Sequence, residues 1–388
     1  MADRARWAIT AVFAANGLVI ASLAARTPSV KVDLGLTAGQ LGLVTAAFGI
    51  SAVAAMQGAG GLAARFGSRR IVRVAVGLVP VALLGTALVG DLVTLVAVHL
   101  LFGAVHGLLD VTMNAHAVAV ERRLGRPILN GCHAAWSIGA VGGSLLASGA
   151  AQAGLSRAEH YGLLAAVLVP LVLLWTRALL PPDADRRPPA KAQRAPWSRP
   201  LVILGAMGAT VLTVEAAVAN WSGVFLHERL AAPLGLAAVG YLAFTASQTA
   251  GRLVGDRLLS RREPRELLRA GTLLAAAGLV LVVVSPWPGL AIVGFAVVGV
   301  GLATPLPVLF GAAGHLGGPN AAATVARFST MTYAGILLAP AVIGAVADLV
   351  GLTWTLAALA PLLAAVAAVE LPAGDQERRA ATARDMAL

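Results

Sequence analysis

The chain has 388 residues, 58% of them apolar and 12% charged, with a mean hydropathy of +0.83 and a formal charge of +11. Soluble domains run near half apolar and about a quarter charged, so this composition leaves too few charges to cover a water-facing surface; it excludes a soluble enzyme and points to a polytopic membrane protein. The positive charge would suit nucleic acid, but the arginines cluster between apolar runs, where a membrane protein keeps its cytoplasmic loops.

The basic stretch 1–6 leads into an apolar run at 7–25. The small residues at 21–25 also fit a cleaved signal peptide, but the length of the run and the spans that follow favour a retained first helix. Further runs fall at 39–59, 71–89, 92–119, 128–153, 160–180, 200–226, 236–256, 267–284, 289–311, 321–346 and 353–370, giving twelve. Each is long enough for a helix to cross ~30 Å of hydrocarbon at about 1.5 Å per residue. Cys132 is the single cysteine, so no internal disulfide is possible and the redox compartment stays open.

Loop charges set the orientation. With the N-terminus inside, Arg26, Lys31, Arg157 and Arg229 fall outside, Arg327 falls within a span, and the remaining 24 of the 29 Lys and Arg lie on the cytoplasmic side. A miscounted span would scramble this alternation, so twelve helices with both termini cytoplasmic are expected.

The Pro- and Arg-rich stretch 181–200 sits at the middle of the chain, with six runs on either side. The expected organisation is a six-helix bundle at 1–180, a cytoplasmic linker at 181–199, a second bundle at 200–370 and a tail at 371–388. Basic turns recur at the same place in each half: aligning Arg65 with Arg257 also aligns Arg69 with Arg261 and Arg70 with Arg262. Two such halves indicate a duplicated bundle.

Gly60, Leu62, Ala63, Arg65, Gly67, Arg69 and Arg70 resemble the stretch between helices 2 and 3 of the major facilitator superfamily, Gly-x-Leu-Ala-Asp-Arg-x-Gly-x-Arg-Arg. Ala64 stands where the family has its acid, whereas the second copy keeps Asp256 beside Arg257. The resemblance implies an all-α fold of two six-helix bundles, with gating assigned to Gly60, Arg65, Gly67, Arg69, Gly251, Asp256, Arg257 and Arg261. Arg26-Thr27-Pro28, the segment from Asp110 to Asn114, and 251–257 also resemble a bacterial inner-membrane branch allied to the fucose-permease group.

Ionisable groups within a span cost roughly 2.5–3.5 kcal/mol each and need a partner or a function. Asp110, Glu215 and Arg327 are such groups. His99, His106, Asp110 and Asn114 fall within about 80° of one helix face, either a polar seam or the wall of a water-filled path. Asn130 and His133 stand out in the fifth run, whose serines among Gly and Ala read as close helix packing. Tyr241, Thr245, Gln248 and Arg252 share a face of the eighth, with Gln248 a pocket candidate and Arg252 placed in the basic turn. Trp221 reads as an interface anchor. Counting residues from the cytoplasmic ends puts Arg327 at roughly 9 Å and Asp110 at roughly 15 Å, which makes Asp110 its expected partner, with capture of an anionic solute as the rival use. Thr304-Pro-Leu-Pro307 should break the tenth run, while Pro80, Pro170, Pro340 and Pro361 read as kinks.

Enzyme signatures fail on inspection. His227-Glu228 lacks a second zinc ligand four residues on, and the glycines at 58–61 lie between spans rather than between a strand and a helix. No Walker motif is present, so transport energy is expected from an ion gradient. A lone carboxylate in low dielectric suits a proton, whereas sodium needs several converging oxygens. The fucose-permease resemblance implies a proton-coupling role for Asp110 on helix 4; that group also uses an acid on helix 1, absent here, for which Glu215 on helix 7 would substitute.

The expectation is a proton-coupled transporter working by alternating access on a small-molecule substrate, without cofactor, metal or nucleic acid. It is a multi-pass protein of the inner (plasma) membrane bilayer and sufficient as a monomer. Asp110 and Glu215 would carry protons, and His106, Asn114, His133, Gln248 and Arg327 would line the substrate cavity. Drug–proton antiporters carry Gly-Pro-x-x-Gly-Gly on helix 5; the nearest text, Gly139-Ala-Val-Gly142-Gly143, has no proline, and His99 replaces the Arg expected on helix 4. Uptake of a small polar solute is therefore favoured over export of a drug or secondary metabolite, and both over a non-transporting sensor.

Overall fold

The computed structural model describes residues 2–126, 128–181, 197–259, 261–317 and 321–371. The linker and tail expected at 181–199 and 371–388 lie mostly outside them. The described chain folds into fifteen α-helices. In the first half these are α1 (Ala2–Ala25), α2 (Thr27–Leu34), α3 (Ala38–Phe66), α4 (Ser68–Ala87), α5 (Leu92–Leu124), α6 (Leu129–Gln152) and α7 (Arg157–Trp175). The second half holds α8 (Arg199–Leu230), α9 (Leu234–Leu259), α10 (Pro264–Val284), α11 (Pro288–Leu302), α12 (Pro305–Gly317), α13 (Ala321–Val350), α14 (Leu352–Ala357) and α15 (Leu359–Ala368).

Local chemistry sets the helix ends. Thr37 and Gln40 form a capping box at the start of α3, and Ser156 and Glu159 do the same for α7. Asp91 accepts from the amides of Val93 and Thr94 at 2.9 and 3.0 Å to start α5. The Thr94 hydroxyl also bonds to Asp91 and, with these amides, holds its carboxyl below the usual range. The short helix α2 was not visible as an apolar run; Pro28 opens it and Gly35, at φ +61°, closes it.

Three expectations about helix boundaries are corrected. The first basic stretch is not a loop: α3 runs through Gly60 and Arg65 to Phe66, Gly67 alone makes the turn at φ +79°, and Arg69 already belongs to α4. Likewise α9 continues through Gly251, Asp256 and Arg257 to Leu259, leaving Arg261 in the connection. The final apolar run is two helices parted at Ala358, since Pro361 has no N–H to bond the Ala357 carbonyl. The tenth run breaks where expected, between Leu302 and Pro305, and Pro80, Pro170 and Pro340 stay inside continuous helices.

Among the described residues, ten helical segments are long and apolar enough to cross a membrane. The helix α9, diluted by Tyr241, Thr245, Ser247, Gln248 and Thr249, and the short α14–α15 pair fall outside that ten. Trp7, Trp175, Trp197, Trp287 and Trp354 are exposed at or beside helix ends, as in an interfacial aromatic belt. Trp221 is fully buried, so its reading as an interface anchor is overturned.

One core, with Phe13, Phe102, Leu109 and Tyr161, lies within the first half. The other centres on Trp221, Phe225, Phe295 and Phe328 of the second half and takes in Ala25, Val30 and Leu41 from the first. That sharing places the contact between halves at the face away from the termini. There Lys31 pairs with Glu228, Ser148 Oγ donates to the Gly235 carbonyl at 2.9 Å, and the backbone of α3 at Gly42 lies against α13 at Pro340. The helices α1 and α6 approach so closely that a Cβ at Gly139 or Gly143 would strike the carbonyl oxygen of Ala14 or Leu18.

Candidate functional site

A cavity of about 240 Å³ opens between the halves. The first half supplies Phe13 from α1, His106, Asp110 and Met113 from α5, and His133, Trp136 and Ser137 from α6, while α9 of the second half contributes Arg252. Successive turns of α5 bring His106, Asp110 and Met113 to this wall, because positions three and four apart share a helix face. His99, seven residues before His106, instead bonds the Leu95 carbonyl through Nδ1 at 2.9 Å and is buried in the first half.

The polar groups differ in how they are engaged. His106 Nδ1 meets Asn16 Oδ1 at 3.2 Å, and its ring lies against Phe48 with centroids 5.3 Å apart. His133 packs edge-on against Phe13 at 5.3 Å. Asn114 turns back to donate to the Asp110 carbonyl at 2.8 Å, so its amide serves α5. Among the described residues no ion pair engages the Asp110 carboxylate. Across the cavity, Gln248 Nε2 donates to Glu215 Oε1 at 2.8 Å, and Arg252 Nη2 stands 3.6 Å from the same oxygen. Tyr333 of α13 is within electrostatic reach of both Asp110 and Glu215.

The structure thus brings His106, Asp110 and His133 to one cavity and joins Gln248 to Glu215 beside it. Arg327 is elsewhere: its guanidinium lies 4.5 Å above the Trp197 ring, and the expected pair with Asp110 is not formed among the described residues. Depth along a helix fixes height in the bundle but not azimuth, and the azimuth of Arg327 takes it to the segment leading into α8. In the basic turns, Arg69 Nη2 donates to the Arg177 carbonyl at 2.8 Å, and Arg65 lies over the neighbouring Phe66 ring. The side chains of Asn130, Asp256 and Arg257 lie outside the described residues.

Arg252 is the main addition. The apolar run ends near it, which reads as the basic turn, but α9 continues to Leu259, so Arg252 sits about two turns inside the helix. Its shared face with Tyr241, Thr245 and Gln248 carried the signal. Phe13, Met113 and Trp136 gave none, since an apolar residue facing a cavity reads like one facing lipid.

A duplicated set of long apolar helices around a central polar cavity defines a membrane transporter. The chain belongs to the Major Facilitator Superfamily, whose family model matches residues 7–325. It is 32% identical over 362 residues to an uncharacterized MFS-type transporter of Yersinia pestis, covering 91% of each chain. It is also 29% identical over 350 residues to the membrane protein MosC of Rhizobium meliloti, covering 89% of this chain and 84% of that one. Among solved structures, the nucleoside transporter NupG (D323A mutant) matches with a TM-score of 0.78 at 16% identity, over 93% of this chain and 98% of that one. A bacterial homologue of the human lysosomal transporter Spinster, inward-facing and unoccupied, matches with a TM-score of 0.77 at 14% identity, over 95% of each chain.

Proposed function

We propose that this multi-pass transporter couples uptake of a small polar solute to proton entry, with Asp110 as a proton carrier and the cavity between the halves as the solute site. The observation that carries this reading is Asp110 itself, a carboxylate in the cavity wall with no ion-pair partner among the described residues. An ionised, unpaired carboxylate within a membrane is costly, so a proton is its natural counterpart, taken up on one side and released on the other. Glu215, beside Gln248 and Arg252, is the second proton-binding candidate.

The proposed architecture has twelve spans, with bundles at 1–180 and 200–370, a linker at 181–199 and a tail at 371–388. Both termini are cytoplasmic in the plasma membrane, and one chain forms the working unit. The contacts between halves at the face away from the termini, Lys31 with Glu228 and Ser148 with Gly235, then describe a state closed to the outside. Rocking of the halves would exchange it for the opposite state. Proteoliposome uptake of a solute panel, with and without an imposed proton gradient, is the test. Accumulation should require an inward gradient; a solute that is expelled as protons enter would replace uptake by antiport.

A further inference from the structure

Arg252 brings the one fixed positive charge among the described residues lining the cavity, and its ion pair with Glu215 holds it loosely. Glu215 Oε1 lies 3.6 Å from Arg252 Nη2, beyond hydrogen-bond length, while the same oxygen accepts from Gln248 at 2.8 Å. Arg252 is also the more open partner, its side chain 36% exposed against 16% for Glu215. We infer that Arg252 binds the acidic group of the transported solute, a small organic anion with one carboxylate on an apolar body, and that Glu215 is the counter-ion that the solute displaces. The inference rests on the transporter reading above and adds the chemical class of the cargo.

Three features point to that class. A guanidinium cannot shed its charge and presents a planar fork that matches a carboxylate at two points. Phe13, Met113 and Trp136 line the same cavity and suit an apolar body. Of the other donors there, His106 is engaged by Asn16, and Ser137 donates to the His133 carbonyl at 3.2 Å.

Charge balance then ties binding to protons. The titratable groups that line the cavity with Arg252 are His106 and Asp110 on α5 and His133 on α6, and Tyr241 on α9 and Tyr333 on α13 lie within electrostatic range of Glu215. Empty, the Arg252–Glu215 pair is neutral. With an anion on Arg252, an ionised Glu215 would be left buried, unpaired and next to like charge, so it must take up a proton, and so must Asp110 in the same wall. With Asp110 ionised the empty cavity carries one net negative charge, and loading one monoanion together with two protons leaves it neutral. No bond is made or broken beyond these proton transfers.

Equilibrium binding to the purified full-length protein tests this with three probes sharing a phenyl body: benzoate, benzamide and benzylamine. Benzoate should bind at least about tenfold more tightly than either other probe, and more weakly at pH 8 than at pH 6. Arg252→Gln should erase the preference. Should that variant fail to fold, Glu215→Gln is the second arm: it removes the competing carboxylate and should raise benzoate affinity at pH 8 by about tenfold. Equal or tighter binding of benzamide or benzylamine, no benzoate binding, or unchanged benzoate affinity in Glu215→Gln would each overturn the inference. Proton-driven accumulation of a neutral or cationic solute would remove this inference and leave the transporter reading standing. Arg252-dependent benzoate binding without flux under any gradient would do the reverse.

Discussion

Asp348, near the end of α13, caps the start of α3 in the other half: its Oδ2 accepts from Thr37 Oγ1 at 2.9 Å and from the Gly39 amide at 2.8 Å. One carboxylate thus satisfies a free amide at a helix N-terminus and complements the helix dipole across the junction between bundles. Asp348→Ala should cost the closed state about 1 kcal/mol, the usual worth of an N-cap, or roughly a fivefold shift toward opening. Spin labels at Val32→Cys and Leu349→Cys, both exposed at that face, would report it as a longer distance population in a Cys132→Ala background. An unchanged distribution would show that the cap does not hold the halves together.

Asp110→Asn mimics the protonated carboxyl. It should retain solute exchange across a membrane without a gradient and lose accumulation driven by a pH difference. Glu215→Gln should lose accumulation too if two protons move per solute. Full gradient-driven accumulation in Asp110→Asn would remove Asp110 from coupling.

Reporter fusions after residues 188 and 388 should read cytoplasmic, and fusions near Gly35 and Arg229 external. An external reading at 188 would refute both the twelve-span count and the orientation derived from loop charge.

Arg327 stacks on Trp197, so exchanging charges as Arg327→Asp with Asp110→Arg should not restore expression lost in either single variant. Trp197→Ala should instead lower the thermal midpoint slightly, as Arg327→Gln does, with little further loss in the double variant, because a cation–π contact on an exposed ring is worth about 0.5–1 kcal/mol, counted once. Rescue by charge exchange would restore the ion-pair reading.

Gly143→Val should abolish folding or lower the thermal midpoint sharply. Its side chain meets the Leu18 carbonyl on the adjacent helix, and overpacking of this kind costs about 1–3 kcal/mol where the backbone can shift. Gly142→Val is the control, since nothing lies within 4 Å of a Cβ there. Equal loss in both would mean the seam is not what limits substitution.

Much of the architecture was legible because the bilayer constrains sequence so strongly: apolar length marks spans, and the arginines at 65–70 and 257–262 mark the repeat. Asp110, His106 and His133 were legible as polar residues on apolar helices. The errors share a physical origin in what hydropathy cannot encode. Helices continue beyond their apolar runs, α3 to Phe66 and α9 to Leu259, which puts Arg252 inside a helix and not in a turn, and the partner of Arg327 depends on helix rotation. Trp221 shows the same limit, since a tryptophan near a helix end reads alike at a headgroup or in a core.

The break between α11 and α12 lies directly against α9 one residue before Arg252: a Cβ at Gly251 would come within 2.6 Å of the Ala303 Cβ. The joint and the helix that carries the cavity-lining guanidinium therefore meet at a single contact. Flexing at 303–304 would shift the floor under Arg252, and a tug on Arg252 would load the joint. Gly251 is the clearance at that contact, so a methyl group there would act as a wedge between α9 and the joint without entering the cavity.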